Sequence, residues 1–421
     1  MVTRAVTGPL VGLGTMVVLN DPGINDSLYV GRNGVVGSID GTAVSASGSF
    51  QRVTVEGTIF ADQTGIRMGT ILAPTSYQTI YISATGVVSG DNAIDLFGVA
   101  SFLNNHGTID GGINTSGSNG VDRSELRNFG TISDIVVAVF RSGTENYTLL
   151  NVGTIEGGVY SYYAFDVYDS RVDRITNSGL MIGDITLGGL DDSYDGRGGR
   201  VIGVVYGEDG ADTFRPGSGA ETFDGGVGSD LLNFFDTTGI RVYLDSSGAN
   251  TLTAQGDTYV GIERVNGSQF GSDVLVGDAA SNNLRGHGGN DTLSGGGGAD
   301  YLTGGTGADR TTGGTGNDMF QFHVIGDGGD VITDFAAVAG NNDCFRFATT
   351  MGGGLVAGAL LAGQFQSRTD NLAQDANDRF IFRTTDQTLW FDSNGNGAGG
   401  LVLMADLQPG AVVTSADILI F

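Results

Sequence analysis

Between residues 284 and 322 the chain reads LRGHGGNDTLSGGGGADYLTGGTGADRTTGGTGNDMFQF. Aspartate stands at 291, 300, 309 and 318, nine residues apart each time, and glycines fill the approach to each one. Glycine without a period reads as disorder, but glycine with a fixed period reads as a repeat architecture. The cleanest copies, GGTGADRTT (304–312) and GGTGNDMFQ (313–321), share the pattern Gly-Gly-x-Gly-x-Asp-x-U-x, with U usually apolar. Six residues make a turn and three make a short strand. Two copies then close one coil of 18 residues, and alternate copies stack on the same side. Asp273, Asp291 and Asp309 fall in one column, and Asp300 and Asp318 in the other.

Carboxylates stacked one coil apart repel unless a cation lies between them. Calcium suits such a place, because it accepts about six to eight oxygens, backbone carbonyls included. Glycine lets the turn take positive φ and aim its carbonyls inward. Magnesium fits less well, since it keeps its waters and demands octahedral geometry. Zinc and iron have little support: there are three His in the chain, and the one Cys, Cys344, lies outside the repeats.

Composition points the same way. The 421 residues carry a formal net charge of −27, which argues against nucleic acid or an anionic membrane surface as partner. Of the acids 40 are Asp and 7 are Glu, a bias toward turns and hard-cation ligation. All 20 bases are Arg. A single cysteine excludes an intrachain disulfide framework. No apolar run approaches the roughly 20 residues of a spanning helix. The opening MVTRAVTGPLVGLGTMVVL makes a weak Sec signal, because Gly, Pro and Thr interrupt it and no clear cleavage site follows.

The first half carries a second, longer repeat. LNNHGTI (103–109), LRNFGTI (126–132), LLNVGTI (149–155) and ITNSGLM (175–181) share apolar-x-Asn-x-Gly-x-apolar, with steps of 23, 23 and 26 residues. Weaker copies precede them at VTVEGTI (53–59), IYISATGVV (80–88) and around GRNGVVG (31–37). Residues two apart share one face of a strand. A further apolar residue recurs at Ile113, Val136, Val159 and Ile185. Strand, turn and strand at this period predict a parallel β-solenoid, with Asn105, Asn128, Asn151 and Asn177 stacked as an internal amide ladder. Ordinary turn propensity is the alternative account of those asparagines. Little helical periodicity shows between residues 24 and 320.

The nine-residue register begins near 207, breaks at 239–266, where IRVYL alternates as a strand, and returns at Asp273. After 322, the segments VITDF, FRF, RFIF, LWFD and LVLM read as short strands of a cap, which a solenoid needs at its open end. DSNGNG (392–397) begins like an EF-hand loop, but its twelfth position is Leu403, so a hairpin turn explains it better.

Residues 207–322 resemble the haemolysin-type RTX calcium-binding β-roll, and GDVITDF (329–335) with the ending ADILIF (416–421) resembles the C-terminal region of serralysin-like type I secreted proteins. In that family the carbonyls of the first four turn positions and the aspartate at the sixth hold calcium. Carried over, the resemblance names Gly304, Gly305, Thr306, Gly307 and Asp309, then Gly313, Gly314, Thr315, Gly316 and Asp318. It also names Gly286, His287, Gly288, Gly289 and Asp291, and Gly295, Gly296, Gly297, Gly298 and Asp300. The earlier copies add Gly207, Gly210 and Asp212, then Gly217, Gly219 and Glu221, then Gly225, Gly226, Gly228 and Asp230, with Asp273 opening the second run. His287 replaces a glycine, Glu221 an aspartate, and Asn282 removes a charge, so sites touching those positions depart from the pattern. About five to eight ions are expected if each well-formed pair of same-side turns holds one.

The fold expected is all-β: a right-handed parallel β-helix over 1–205, an RTX β-roll over 206–325 and a β-rich cap with the type I secretion region over 326–421. The resemblance implies export by the type I secretion machinery and folding on extracellular or cell-surface calcium. For the first half there are two readings. One is a structural or adhesive surface for a glycan or cell-surface ligand, with YSYYAFDVY (160–168) as a candidate face. The other is a polysaccharide-modifying enzyme, such as a lyase or epimerase, working in a lateral groove. Against the enzyme, no Lys is present as a base, no Asp-Pro-His-Asp motif occurs, and Asp110, Asp122 and Asp134 form no evident carboxylate pair.

Overall fold

In the segment LRNFGTI, Leu126 and Asn128 alternate with Glu125 and Arg127, so one set of side chains enters the core and the other meets solvent. The computed structural model shows that alternation repeated coil after coil. It describes residues 2–19, 26–69, 75–115, 124–134, 136–139, 147–157, 159–162, 172–338, 340–361 and 363–421. Two compact units emerge, Met1–Asp230 with Asp257–Gly261, and Leu231–Gly256 with Ile262–Phe421. Among the described residues no helix is long and apolar enough to cross a membrane.

The first unit is a three-sided parallel solenoid. On one face Thr79–Ile82, Phe102–Asn105, Ser124–Asn128, Tyr147–Asn151 and Arg174–Asn177 pair in parallel, each with the next. On a second, Thr108, Thr131, Thr154 and Leu180 stack in register. On the third, Ile113, Val136, Val159 and Ile185 do so, as their spacing predicts. Leu103, Leu126, Leu149, Ile109, Ile132 and Ile155 fill the interior, each 0 or 1% exposed.

The asparagine ladder is present. Asn105 Nδ2 donates to Asn128 Oδ1 at 2.8 Å, Asn128 to Asn151 at 2.8 Å and Asn151 to Asn177 at 2.9 Å, and all four residues are fully buried. Asn177 hands the chain of bonds to the Tyr194 hydroxyl at 3.5 Å. Upstream the same register position holds Val30, Val55 and Ile82, so the column changes from apolar to amide at the coil where Asn105 enters. The glycine two residues on has its own cause. A Cβ at Gly130 would strike the Gly107 carbonyl oxygen, and one at Gly153 would strike that of Gly130. Successive turns lie too close for any side chain.

The second unit is a two-sided roll. Arg264–Asn266, Asn283–Gly288, Tyr301–Thr306 and Met319–Phe322 stack on one face. Val274–Val276, Thr292–Gly297 and Arg310–Thr315 stack on the other. The residues after 322 do not form a separate globule. Asp330–Ile332 extends the second face and Cys344–Phe347 the first, and Ile418–Ile420 adds a further strand to the latter. Phe380–Arg383, Thr388–Asp392 and Leu401–Leu407 then form an antiparallel ribbon, and DSNGNG is its hairpin turn. Phe320, Phe345, Phe347, Phe380 and Phe391 close the core beneath them.

The ladder gives a direct test. Asn128→Ala removes a donor from Asn151 and an acceptor from Asn105 in a fully buried column. We expect a loss of about 2–4 kcal/mol, read by chemical denaturation, from two buried groups each short of a partner.

Candidate metal centre

Each nonapeptide strand buries the residue at the U position, such as Leu284, Leu293 or Leu302, and this fixes where the preceding turn sits. The sixth-position aspartates are consequently drawn inside. Asp212, Asp230, Asp291, Asp300, Asp309 and Asp318 are each 0 or 1% exposed. They stack in the two columns that the spacing predicts. Oδ1 of Asp291 accepts the Asp273 N–H at 2.8 Å, and Oδ1 of Asp309 accepts the Asp291 N–H at 2.7 Å. In the other column Asp300 accepts from Asn282 at 2.7 Å and Asp318 accepts from Asp300 at 2.9 Å.

The second oxygen of each group behaves differently. Oδ2 of Asp212, Asp291, Asp300, Asp309 and Asp318 is buried and meets no hydrogen-bond donor. An ionised oxygen in that position needs a cation or a proton. Backbone carbonyls converge on the same spots. A Cβ at Gly207 would overlap both Asp212 Oδ2 and the Gly225 carbonyl oxygen. One at Gly286 would overlap Asp291 Oδ2 and Gly304 O, and one at Gly295 would overlap Asp300 Oδ2 and Gly313 O. The donor set is therefore oxygen alone, one carboxylate per turn with carbonyls around it. Among the described residues no group of three or more His, Cys, Asp or Glu gathers at a metal-binding distance. That set matches calcium and not zinc.

The second turn position sets this geometry. Gly296, Gly305 and Gly314 have φ of 100°, 102° and 100°. His287 and Glu208 take the same left-handed conformation, both at 75°, although neither is glycine. Strain of this kind costs on the order of 1–3 kcal/mol and persists where the surroundings enforce it. His287 is held edge-on against Phe235, with ring centroids 4.9 Å apart. The histidine thus preserves the turn that its chemistry put in doubt.

Three copies depart. Glu221, one methylene longer, accepts the Val201 N–H at 2.9 Å and reaches back to the Gly217 N–H at 2.8 Å. Asp273 accepts from the Ile240 N–H at 2.8 Å, the Ser268 N–H at 2.6 Å and the Ser268 hydroxyl at 2.8 Å. Asn282 Oδ1 accepts the Asp278 N–H at 2.8 Å. Protein donors occupy these side chains, so they do not share the open oxygen of Asp212, Asp291, Asp300, Asp309 and Asp318.

Several participants lie outside the nine-residue register. Asp330 accepts from the Asp309 N–H at 3.0 Å and Asp343 from the Asp318 N–H at 3.1 Å, so each column ends on a carboxylate of the cap. Asp334 clamps the Gly313 and Gly314 N–H groups, both at 2.8 Å. Upstream, Asp192 accepts from Asp173 and Asp212 from Asp192, at 2.6 and 2.7 Å. The device thus begins before the repeat is recognisable. Irregular insertions break the 18-residue step at both ends, and this hid these residues from a search by period.

Burial pushes the carboxyls of Asp212, Asp291 and Asp300 up to about 7 and that of Asp309 up to about 6, and neighbouring acids reinforce the shift. Without calcium, the folded roll holds these protons more tightly than the unfolded chain, whose carboxyls titrate near 4. Proton-linked stability is therefore fully present below about pH 4 and is lost as pH rises through about 7. Calcium requires the ionised form, so its affinity changes in the opposite direction. In calcium titrations of the full chain, the midpoint should move to higher calcium as pH falls from 8 to 5.5. Melting of the calcium-stripped roll should show the reverse trend, with greater stability at pH 5 than at pH 8. Gly295→Ala places a methyl group where Asp300 Oδ2 and Gly313 O meet, and should remove one bound ion by native mass spectrometry.

The sequence matches the family model of the RTX calcium-binding nonapeptide repeat (4 copies) at residues 197–232, 269–302 and 285–320. No curated protein is significantly similar to the chain. Among solved structures, the AlgE6R3 subunit of the Azotobacter vinelandii mannuronan C5-epimerase is 28% identical, over 35% of this chain and 80% of that one, with a TM-score of 0.25. Over residues 197–232 and 269–320 the protein is built of RTX calcium-binding nonapeptide repeats.

Proposed function

We propose that this protein is exported by a type I pathway and that its repeat turns fold on calcium outside the cell. The observation that supports this most is the set of five buried carboxylate oxygens without a donor, three of them facing a carbonyl of the next turn. At cytosolic calcium these acids and the glycine-rich turns oppose folding, through charge repulsion and backbone entropy. At millimolar calcium the binding free energy becomes folding free energy. The open turns favour about three to six ions, fewer than the roughly five to eight that period alone suggests.

The β-helix is proposed to serve as a structural or adhesive surface. A shallow lateral groove of about 260 Å³ is lined by Thr79, Phe102, Leu103, Asn104, Glu125 and Arg127. Oδ1 of Asn104 is buried and unpartnered there. Beside it, His106 stacks on Phe129 with centroids 4.6 Å apart and tilts against Tyr81 at 5.6 Å. Exposed rings beside polar groups suit a glycan or a protein ligand. Among the described residues that line the groove Glu125 is the one acid, and it is bound to Arg127 at 2.7 Å, whereas carboxylate-pair hydrolysis needs a second acid. Of the candidate face at 160–168, residues 163–168 lie outside the described residues.

Two measurements test these readings. EGTA should weaken the β-signal contributed by residues 207–322 in circular dichroism and lower the melting temperature, and spectra and melting unchanged by EGTA would refute calcium-dependent folding. Incubation with alginate and pectin should yield no unsaturated or reducing-end product. Turnover that disappears in a groove variant such as Glu125→Gln would establish the enzyme instead.

A further inference from the structure

The nine turns of the array fall into two classes, and the acid at the sixth position does not separate them. Six turns have a second residue in the left-handed region: Glu208, Gly226, His287, Gly296, Gly305 and Gly314, with φ between 75° and 102°. At Gly217, Ser268 and Asp278 φ is not positive. In these three turns the second residue's N–H donates to the side chain that closes the turn: Gly217 to Glu221, Asp278 to Asn282 and, in the turn 267–273, which is one residue longer, Ser268 to Asp273. The buried oxygens without a donor all belong to the first class.

The cause is one peptide plane. Its N–H and C=O point in opposite directions, so rotating the N–H away from the sixth-position side chain aims the preceding carbonyl at the column. In the first class that carbonyl does reach the neighbouring turn. Gly225 O meets Asp212 Oδ2, Gly304 O meets Asp291 Oδ2 and Gly313 O meets Asp300 Oδ2 at the positions where a Cβ would stand. In the second class the same plane spends its N–H on the side chain, and side-chain bonds lock it there. Asp278 Oδ1 accepts the Ala280 N–H at 2.8 Å, and the fully buried Ser268 hydroxyl bonds both oxygens of Asp273.

We infer that the conformation of the second turn residue, and not the presence of an acid, decides whether a turn takes calcium. Ser268 and Asp278 are then sealing residues. They make turns 267–273 and 277–282 independent of cation, and each column of the second unit starts on a sealed turn before two open ones. The sealed pair provides a preformed coil on which the calcium-dependent coils stack. The inference rests on the open turns being calcium sites.

Turn 277–282 allows the two ideas to be separated, because the Gly295 carbonyl oxygen already faces it. Bound calcium is counted by native mass spectrometry and equilibrium dialysis on the full chain, with folding followed by circular dichroism. Asn282→Asp restores the missing acid but leaves the seal, so the count should equal that of the wild type. Asp278→Gly with Asn282→Asp also frees the second position, and the count should rise by one. Ser268→Gly should likewise add one ion at Asp273, which gives a second reading if the double variant does not fold. A gain of one ion by Asn282→Asp alone would overturn the inference, as would no gain in a folded double variant or, should the double variant not fold, no gain in Ser268→Gly. A wild-type chain that binds no calcium would instead overturn the calcium reading of the whole array.

Discussion

A carboxylate column inside a protein needs a counter-charge, and much of this molecule is arranged around that requirement. The aspartates are buried because their strands are pinned by apolar neighbours such as Leu284, Leu293 and Leu302. One oxygen of each is used to stitch coil to coil through a backbone N–H. The other has no protein donor in five turns. Burial, reinforced by neighbouring acids, raises such a group to about 7, and calcium must displace the proton it holds. The turn glycines serve the same end, since a Cβ at Gly286 or Gly295 would occupy the place where the oxygens meet.

Two kinds of buried column meet the same stacking problem with different chemistry. In the β-helix the buried polar column is neutral, and each asparagine is both donor and acceptor, so the ladder is satisfied by the chain itself. In the roll the column is anionic and acceptor-only, so it is satisfied from outside.

Much of this was legible in the sequence because the repeats impose it. The steps of 23, 23 and 26 residues located the ladder at Asn105, Asn128, Asn151 and Asn177, and the nine-residue step placed Asp291 and Asp309 in one column and Asp300 and Asp318 in the other. DSNGNG read correctly as a hairpin. Three things were not legible. Asp330 and Asp343 continue the columns after irregular insertions, so no period reaches them. The strands after 322 looked like a separate cap, because their aromatic composition hides that Asp330–Ile332 and Cys344–Phe347 extend the roll. The difference between His287 and Asp278 lies in φ, and residue identity does not reveal it: both replace glycine, yet only His287 keeps the left-handed turn.

Hydrogen exchange of the full chain, resolved by segment with and without calcium, tests the central claim most directly. Amides of residues 286–318 should be protected in calcium and should exchange rapidly without it. Those of 103–109, 126–132 and 149–155, held by the asparagine ladder, should be protected in both conditions. Equal protection of residues 286–318 with and without calcium would show that the columns stand without a cation, and would contradict the account.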